Sequence, residues 1–299
     1  MTPTSLSPKN AVTDKKLTLT QEQINQYHAL GFLIVPGMFS AEELKPLQDA
    51  CENDPALWEE ETEYVYSNQK TNRVMIYHTL SDSFLGAMPR LERMVDSAES
   101  ILGEECYHWH SKLVRKEPHS EGVVEWHQGY GSWYHYGCLF PTTLTTAIAI
   151  TDNTRENGCM QVIEKSHLMG RFNHQRIGST DGAEPERVQK ALERLNVVDC
   201  EMKAGDALLF HANTLHASIP NTSDKTRVIL HCTYNGISNE PYKEEWKKNH
   251  GYEPLVKLSD STLKEGHYNG IFKNEDFYPS ENEKNRAAGI TFRGSKEAK

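Results

Sequence analysis

The sequence predicts a mainly β protein with flanking helices, an α+β fold built on one antiparallel β-sandwich. Three observations lead to this class. Helix start signals are gathered towards the N-terminus, and from about residue 106 the chain becomes a series of short apolar or alternating runs. Turn signals such as Asn157-Gly158 and Gly205-Asp206 separate those runs. Many short strands with helices collected on one side are typical of a sandwich with a helical flank.

The first elements are predicted from two helix caps. Thr20 with Gln23, and Ser40 with Glu43, both fit a capping box, in which side chains satisfy the free amide groups of a helix N-terminus. Between the two caps, "GFLIVPG" is a short apolar run bounded by glycines. The pattern predicts helix, strand and helix in that order.

The strands that follow are predicted for five runs: "CYHWHSKLVRK", "TTLTTAIAIT", "GCMQVIEKSH", "VVDCEMKAGDALLF" and "TRVILHCTYN". One helix interrupts them in "EPERVQKALERLN", where Val188, Leu192 and Leu195 recur at helical spacing. After about residue 238 the chain is polar and rich in turns. We therefore expect a disordered leader over residues 1–18 and a single domain over 19–299, closed by a C-terminal wrapping segment.

Composition excludes several functional classes. A net charge of -10 without a long Lys/Arg block argues against a nucleic-acid polymer as partner. No apolar run approaches the roughly 18 residues of a membrane span, and the N-terminus has no apolar signal region. The six cysteines include no CxxC pair, which indicates reduced thiols. A cytoplasmic enzyme acting on a small molecule is the expectation, and no pattern indicates an oligomeric state.

Two histidine-bearing segments carry the chemistry. His127 lies in "EWHQGYGSWYHYGCLFP", and His216 lies in "AGDALLFHANTLHASIPNTSDKTRVIL", followed by Ser218 and Arg227. An arginine on a strand beside a histidine-bearing strand can hold a small dicarboxylate through two hydrogen bonds while that acid also chelates a metal. The pattern predicts a metal site with a dicarboxylate ligand.

The stretches "WHQGYGSWYHYGCLFP", "NGCMQVIEKSH" and "GDALLFHANTLHAS" through Arg227 resemble the phytanoyl-CoA dioxygenase family, over most of residues 20–245. The resemblance implies an Fe(II)/2-oxoglutarate enzyme that uses O2, on a double-stranded β-helix or jelly roll. By position, His127 and His216 resemble the histidine ligands of iron. Arg227 and Ser218 resemble the groups that bind the far carboxylate of 2-oxoglutarate.

Other residues have less support from the same resemblance. Lys112 and Arg73 fall near positions that contact cosubstrate or substrate in relatives. His211 competes with His216 as the distal ligand, but it lacks the serine two residues on and the eleven-residue step to Arg227. The resemblance therefore favours His216.

Gly129 departs from the family pattern, which is His-x-Asp followed by a distal histidine. Side chains at 127 and 129 would face the same way along a strand, so a carboxylate at 129 would reach the iron. Glycine supplies no ligand and frees one coordination position. Glu125 lies on the other side of His127, but the family geometry places the acid after the histidine.

Three explanations of Gly129 compete. In Fe(II)/2-oxoglutarate halogenases a glycine or alanine makes room for chloride: Fe(IV)=O abstracts hydrogen from an unactivated C–H bond, and chlorine rebounds to the carbon. The site could instead have decayed into a non-catalytic binding module, or Gly129 could be an engineered substitution in a hydroxylase. Retention of His127, His216, Ser218 and Arg227 weighs against decay. Ser132, where hydroxylating relatives commonly have a bulky aromatic residue, favours a natural halogenase over one engineered change.

The substrate pocket is predicted from aromatic and cationic residues near these motifs. Trp133, Ser132 and Tyr134 are candidates for its wall, and Arg171 is a candidate for binding an anionic group. Solvated loop charge is the other explanation of the cations. These residues suggest an anionic metabolite as substrate. The resemblance to freestanding halogenases, some of which act on nucleotides, implies a nucleotide as the first expectation.

Overall fold

The structure, a computed structural model, describes residues 18–59, 61–65, 68, 70–177 and 180–273. The predicted leader, apart from residue 18, and the chain beyond residue 273 lie outside the described residues. The described strands are β1 (Phe32–Val35), β2 (Thr62–Val65), β3 (Thr71–Tyr77), β4 (Cys106–Lys116), β5 (Val124–His127), β6 (Thr143–Ala149), β7 (Met160–Ile163), β8 (His174–Ile177), β9 (Thr180–Ala183), β10 (Val197–Cys200), β11 (Ala207–His211), β12 (His216–Ser218) and β13 (Arg227–Gly236). The described α-helices are α1 (Gln21–Leu30), α2 (Ala41–Asn53), α3 (Phe84–Ala87), α4 (Glu92–Leu102), α5 (Gly129–Tyr136), α6 (Pro185–Leu192) and α7 (Glu244–His250).

Two antiparallel sheets form the body of the protein. The larger sheet has seven strands in the order β1-β11-β6-β13-β4-β3-β2, and the smaller has four in the order β10-β7-β12-β5. A two-stranded ribbon, β8-β9, accompanies them. The predicted antiparallel sandwich with flanking helices is confirmed. None of the helices in the described part of the chain has the length and apolar character that crossing a membrane requires.

Both predicted helix caps are present. The Thr20 hydroxyl accepts from the Gln23 amide at 3.2 Å, and the Gln23 side chain accepts from the Thr20 amide at 2.8 Å. Ser40 and Glu43 form the same reciprocal pair at the start of α2. These caps satisfy amide groups that would otherwise lack partners, so α1 and α2 begin where the sequence predicts.

The larger sheet has two different faces because side chains alternate along its strands. One face packs on α1, α2 and α4 and contains the largest apolar cluster. On β13 this face presents Val228, Leu230, Cys232 and Tyr234. The opposite face of β13 presents Arg227, Ile229, His231 and Thr233. The second face meets the smaller sheet, and the cavity described below lies there.

The C-terminal segment packs against the helical face. Leu258 exchanges backbone hydrogen bonds with Arg90 and Glu92, and Leu263 is buried in the same apolar cluster. Arg93 of α4, only 7% exposed, joins this segment to α2: it pairs with Asp260 at 3.1 Å and with Glu43, and donates to the Met38 carbonyl at 2.8 Å. The buried Arg93 guanidinium thus links α4 to α2 with the residues just before it and to the C-terminal segment.

Replacing Arg93 with methionine is expected to lower the free energy of unfolding by about 3–5 kcal/mol, because the buried Glu43 carboxylate would lose its partner. Urea denaturation measures the change. Lys45→Met, at an exposed pair with Asp49, provides the control and should leave the midpoint where it is. Equal midpoints for Arg93→Met and the parent protein would show that the link carries no stability.

Candidate active site

A cavity of about 580 Å³ lies between the two sheets, a size suited to a small molecule. Its floor is the inner face of β3, β4 and β13, its far wall is β5 and β12, and α5 and the β8-β9 ribbon border it. His250 at the end of α7 also lines it. The predicted His127, Gly129, His216, Ser218, Arg227, Lys112, Ser132 and Trp133 all line this cavity.

His127 and His216 lie directly opposite each other on β5 and β12, with ring centroids 4.0 Å apart. His127 Nδ1 is 2.8 Å from the Glu125 carbonyl oxygen, and His216 Nδ1 is 2.9 Å from that of Thr214. A carbonyl accepts only, so Nδ1 carries the proton in each ring and the lone pair is on Nε2. Metal-binding histidines commonly donate the N–H of the ring nitrogen that does not bind the metal to a carbonyl in this way.

Burial lowers the pKa of His127 to about 4 and that of His216 well below its usual value. For His216 the neighbouring His127 is the second cause. Both imidazoles are therefore neutral at pH 7 and able to bind a metal. Neutral imidazoles whose lone pairs are on Nε2 suit the binding of a metal ion, so the two side chains fit this role.

The expectation that residues 127 and 129 share a strand face is wrong. Strand β5 ends at His127, and Gly129 is the first residue of α5. The Gln128 side chain explains the break: it donates to the Gly170 carbonyl at 2.9 Å and the Asn213 carbonyl at 2.7 Å. Gln128 is thereby held to two loops and does not continue the ladder with β12.

Gly129 lies against the indole of Trp133, one helical turn later. A Cβ atom at position 129 would come within 2.5 Å of Trp133 Cη2, closer than real Cβ contacts. Trp133 is 8% exposed and packs edge-on against Trp109 and His110, with centroids 5.9 and 5.8 Å away. Any side chain at position 129 therefore requires the indole to move.

In the described part of the chain, no carboxylate joins the two histidines. Among the described residues, no group of three or more His, Cys, Asp or Glu side chains is arranged to hold a metal ion. Glu125 lines the cavity but does not complete such a group. Among the described side chains, His127 and His216 are therefore the two that could hold a metal ion at this place.

A second cluster lies at one end of the cavity floor, where Arg227 and Ser218 line the cavity and Lys116, outside the described lining, hydrogen-bonds to Ser218. Arg227 on β13 is opposite Lys116 on β4, and the two side chains are only 2% and 1% exposed. The Lys116 ammonium donates to Ser218 Oγ at 2.9 Å and to the Ile219 carbonyl. Burial, and then the charge of Arg227, lower the pKa of Lys116 well below its usual value. Two buried cations beside a hydroxyl suit a carboxylate, which would offset both charges.

Lys116 is the residue that the sequence analysis missed. Lys112, which was predicted in its place, lies four residues earlier on the same face of β4. Alternation with a period of two cannot separate these lysines. The register between β4 and β13 identifies the lysine that lies beside Arg227. Arg227 is opposite Lys116, and His231 is opposite Lys112.

Of the four predicted pocket residues, two line the cavity, and the other two, Tyr134 and Arg171, lie elsewhere. Trp133 and Ser132 line the cavity, and Ser132 Oγ donates to Asp181 at 3.2 Å. Tyr134 and Arg171 are not among the described lining residues. Tyr134 is 49% exposed, and the Arg171 guanidinium lies 4.5 Å from the centre of its ring. Arg171 therefore belongs to the surface beside α5.

Arg73 and His211 also lie outside the described lining of the cavity. Arg73 is exposed and forms ion pairs with Glu61 and Glu63, at 3.7 and 3.6 Å. His211 ends β11, where its Nδ1 accepts from the Asn213 amide at 2.9 Å. Of the two candidates for distal ligand, His216 is the one that faces His127.

The fold and site define a class: a jelly-roll sandwich with two cavity-facing histidines and a buried arginine that lines the same cavity. Residues 27–229 match the model of the phytanoyl-CoA dioxygenase (PhyH) family. The chain belongs to this family of Fe(II)/2-oxoglutarate enzymes.

Characterised relatives are similar over most of the chain. Ectoine dioxygenase of Bordetella bronchiseptica is 27% identical over 240 residues, 74% of this chain and 77% of that protein. L-proline trans-4-hydroxylase of Streptomyces griseoviridis is 26% identical over 234 residues, 72% of this chain and 86% of that protein. The crystal structure of EctD from S. alaskensis with 2-oxoglutarate and 5-hydroxyectoine has a TM-score of 0.67 at 22% identity, covering 84% of this chain and 90% of that one. This similarity confirms the jelly-roll fold.

Proposed function

We propose that the protein is an Fe(II)/2-oxoglutarate-dependent enzyme that chlorinates an unactivated C–H bond of a free small molecule. His127 and His216 would hold the iron, and Arg227, Ser218 and Lys116 would bind the far carboxylate of 2-oxoglutarate. With its cosubstrate and O2, the iron would supply an oxidant able to remove a hydrogen atom from carbon. Gly129 would leave a coordination position for chloride.

One observation carries this proposal. Two neutral histidines present Nε2 lone pairs, while the residue that should bring a carboxylate is glycine and no other described acid takes its place. In the ordinary two-histidine, one-carboxylate triad the acid supplies the negative charge. A halide can supply the same charge at the same position, which the carboxylate would otherwise exclude.

The side chains around the site would keep it ordered and shielded from water. The Phe210 ring lies 4.7 Å from the His216 ring and closes the side next to β11. The Glu125 and Thr214 carbonyls fix the orientation of both imidazoles. Trp133 packs over Gly129 and limits the groups that can approach from α5. These contacts support a preorganised site.

Hydroxylation is the second candidate, and two observations favour it. The relatives named above are a dioxygenase and a hydroxylase. In addition, the Trp133 indole occupies part of the space beside Gly129, so the missing carboxylate does not simply leave an open hole. If the protein is a hydroxylase, a water molecule would occupy the coordination position that chloride would take in a halogenase.

The experiment is an anaerobic titration of chloride into protein loaded with Fe(II) and 2-oxoglutarate, following the metal-to-ligand charge-transfer absorption. A saturable, chloride-dependent shift is expected if a halide enters the coordination sphere. A band that does not respond to chloride would favour hydroxylation. Absence of any band would indicate a protein that binds ligands without this chemistry.

A pair of variants controls for the position of the halide. Gly129→Asp alone forces a clash with Trp133, so the carboxylate is introduced together with Trp133→Leu. The double variant should lose the chloride response, whereas Trp133→Leu alone should keep it. An undiminished response in the double variant would show that chloride binds somewhere other than beside residue 129.

A further inference from the structure

Three ionisable side chains, Lys112, His231 and His110, line the cavity floor beyond the end that contains Arg227. On the ladder between β4 and β13, His231 pairs with Lys112, and the next inward-facing pair is Thr233 with His110. The apolar pair Ile229 and Val114 lies between the pair His231 and Lys112 and the pair Arg227 and Lys116 along this ladder. No described residue forms a hydrogen bond with the side chains of Lys112, His231 or His110, although all three face the cavity.

Among these groups, Lys112 carries a positive charge that no described carboxylate neutralises. Its ammonium forms no ion pair with any residue in the described ranges. Burial lowers its pKa to about 8, and no neighbouring carboxylate raises it again. The surrounding groups are themselves cationic or neutral, since His110, His231 and both metal-site histidines lie within its electrostatic reach. A buried charge is costly unless it is paired, so this lysine fits a ligand that brings a negative charge.

The cosubstrate does not readily serve both lysines. Lys112 and Lys116 are four residues apart on one strand, which places their Cα atoms about 13 Å apart. The two carboxylate carbons of 2-oxoglutarate are four carbon–carbon bonds apart, about 5 Å. A 2-oxoglutarate anchored at Arg227, Ser218 and Lys116 would therefore leave Lys112 for another anionic group.

We propose that Lys112, with His231 and His110, binds the single anionic group of the substrate, a carboxylate or a phosphate, and so holds the substrate beside the metal site. This inference rests on the proposed function. Apart from Arg227, the other charged side chains that line the cavity are Glu61, Glu63, Glu125 and Asp181 against Arg176, and they add no net positive charge. Glu61 and Glu63 form ion pairs with Arg73 and Arg115, which lie outside the described lining. A substrate with one anionic group, rather than a nucleoside di- or triphosphate, matches this distribution of charge.

The test uses acetate and inorganic phosphate as probes, with Mn(II) in place of iron and saturating 2-oxoglutarate. Paramagnetic broadening of the acetate ¹H and phosphate ³¹P signals reports binding close to the metal. Lys112→Met should weaken at least one probe by about tenfold or more, because a charge-assisted contact is lost. Lys112→Arg should retain most of the binding, and Arg171→Met, a cation outside the cavity, should retain all of it. The affected probe identifies the class of anion.

Affinity for 2-oxoglutarate, measured on the same samples, separates the two lysines. Lys116→Met should weaken 2-oxoglutarate binding, and Lys112→Met should not. Equal probe binding in the parent protein and Lys112→Met, or no probe binding in either, would overturn the inference. So would loss of 2-oxoglutarate binding in Lys112→Met. Failure of the parent protein to bind Mn(II) or 2-oxoglutarate would instead contradict the proposed function itself.

Discussion

Replacing His216 with alanine is expected to abolish turnover and to weaken metal binding by more than about 100-fold. Removing only a group that hydrogen-bonds to a metal ligand lowers metal affinity or activity by about 10–100-fold. His216 would itself be one of only two protein ligands among the described residues. Isothermal titration with Mn(II) measures the affinity, independently of any substrate. His127→Ala should behave in the same way, because the two rings face each other across β5 and β12.

The matched control is His211→Ala. His211 precedes His216 by five residues but ends β11 outside the described cavity lining, so Mn(II) affinity should stay at the parental value. Parental affinity in His216→Ala, or loss of it in His211→Ala, would show that the distal ligand has been misassigned. Circular dichroism of each metal-free variant establishes that the fold is intact.

Acidification of the metal-free protein from pH 7 to pH 5 is expected to lower the free energy of unfolding by about 10–15 kcal/mol. Seven buried or half-buried histidines have pKa values lowered mainly by burial. The pKa is about 3–4 for His108, His127, His174, His211 and His231, and it lies well below the usual value for His110 and His216. In the unfolded chain each titrates near 6.5. Below that pH the unfolded state binds more protons than the folded state, so stability falls as pH falls.

The loss per histidine is about 1.4 kcal/mol for each pH unit between roughly 6.5 and 4. Since typical domains have only about 5–15 kcal/mol in total, the metal-free protein should unfold near pH 5. Urea denaturation at several pH values measures the slope. In His108→Gln the slope should decrease by about one proton. A free energy of unfolding that stays constant from pH 7 to pH 5 would contradict this account.

Local chemistry explains which parts of the fold the sequence predicts well. Capping boxes involve contacts three residues apart, so Thr20 and Ser40 mark the helix starts correctly. The predicted strand at residues 31–37 and the helix containing Val188 are also observed. In these segments short-range hydrogen bonding and burial favour the same structure.

The remaining errors arise from contacts distant in sequence. Gln128 binds the carbonyls of Gly170 and Asn213, and these long-range bonds end β5 before residue 129. The pairing of Lys116 rather than Lys112 with Arg227 depends on register across 111 residues (227 − 116). The residue pattern of a single segment therefore predicts neither the end of β5 nor the register between β4 and β13.

The two-faced construction of β4 and β13 also bears on directed evolution of this protein. Alternate residues of each strand belong to the helical core, while most of those between them line the cavity. A library restricted to Val114 and Thr233 would vary the cavity wall without touching the apolar packing under the helices. Selection for new substrates at these positions should therefore proceed with little of the folding loss that random mutagenesis of a β-strand usually brings.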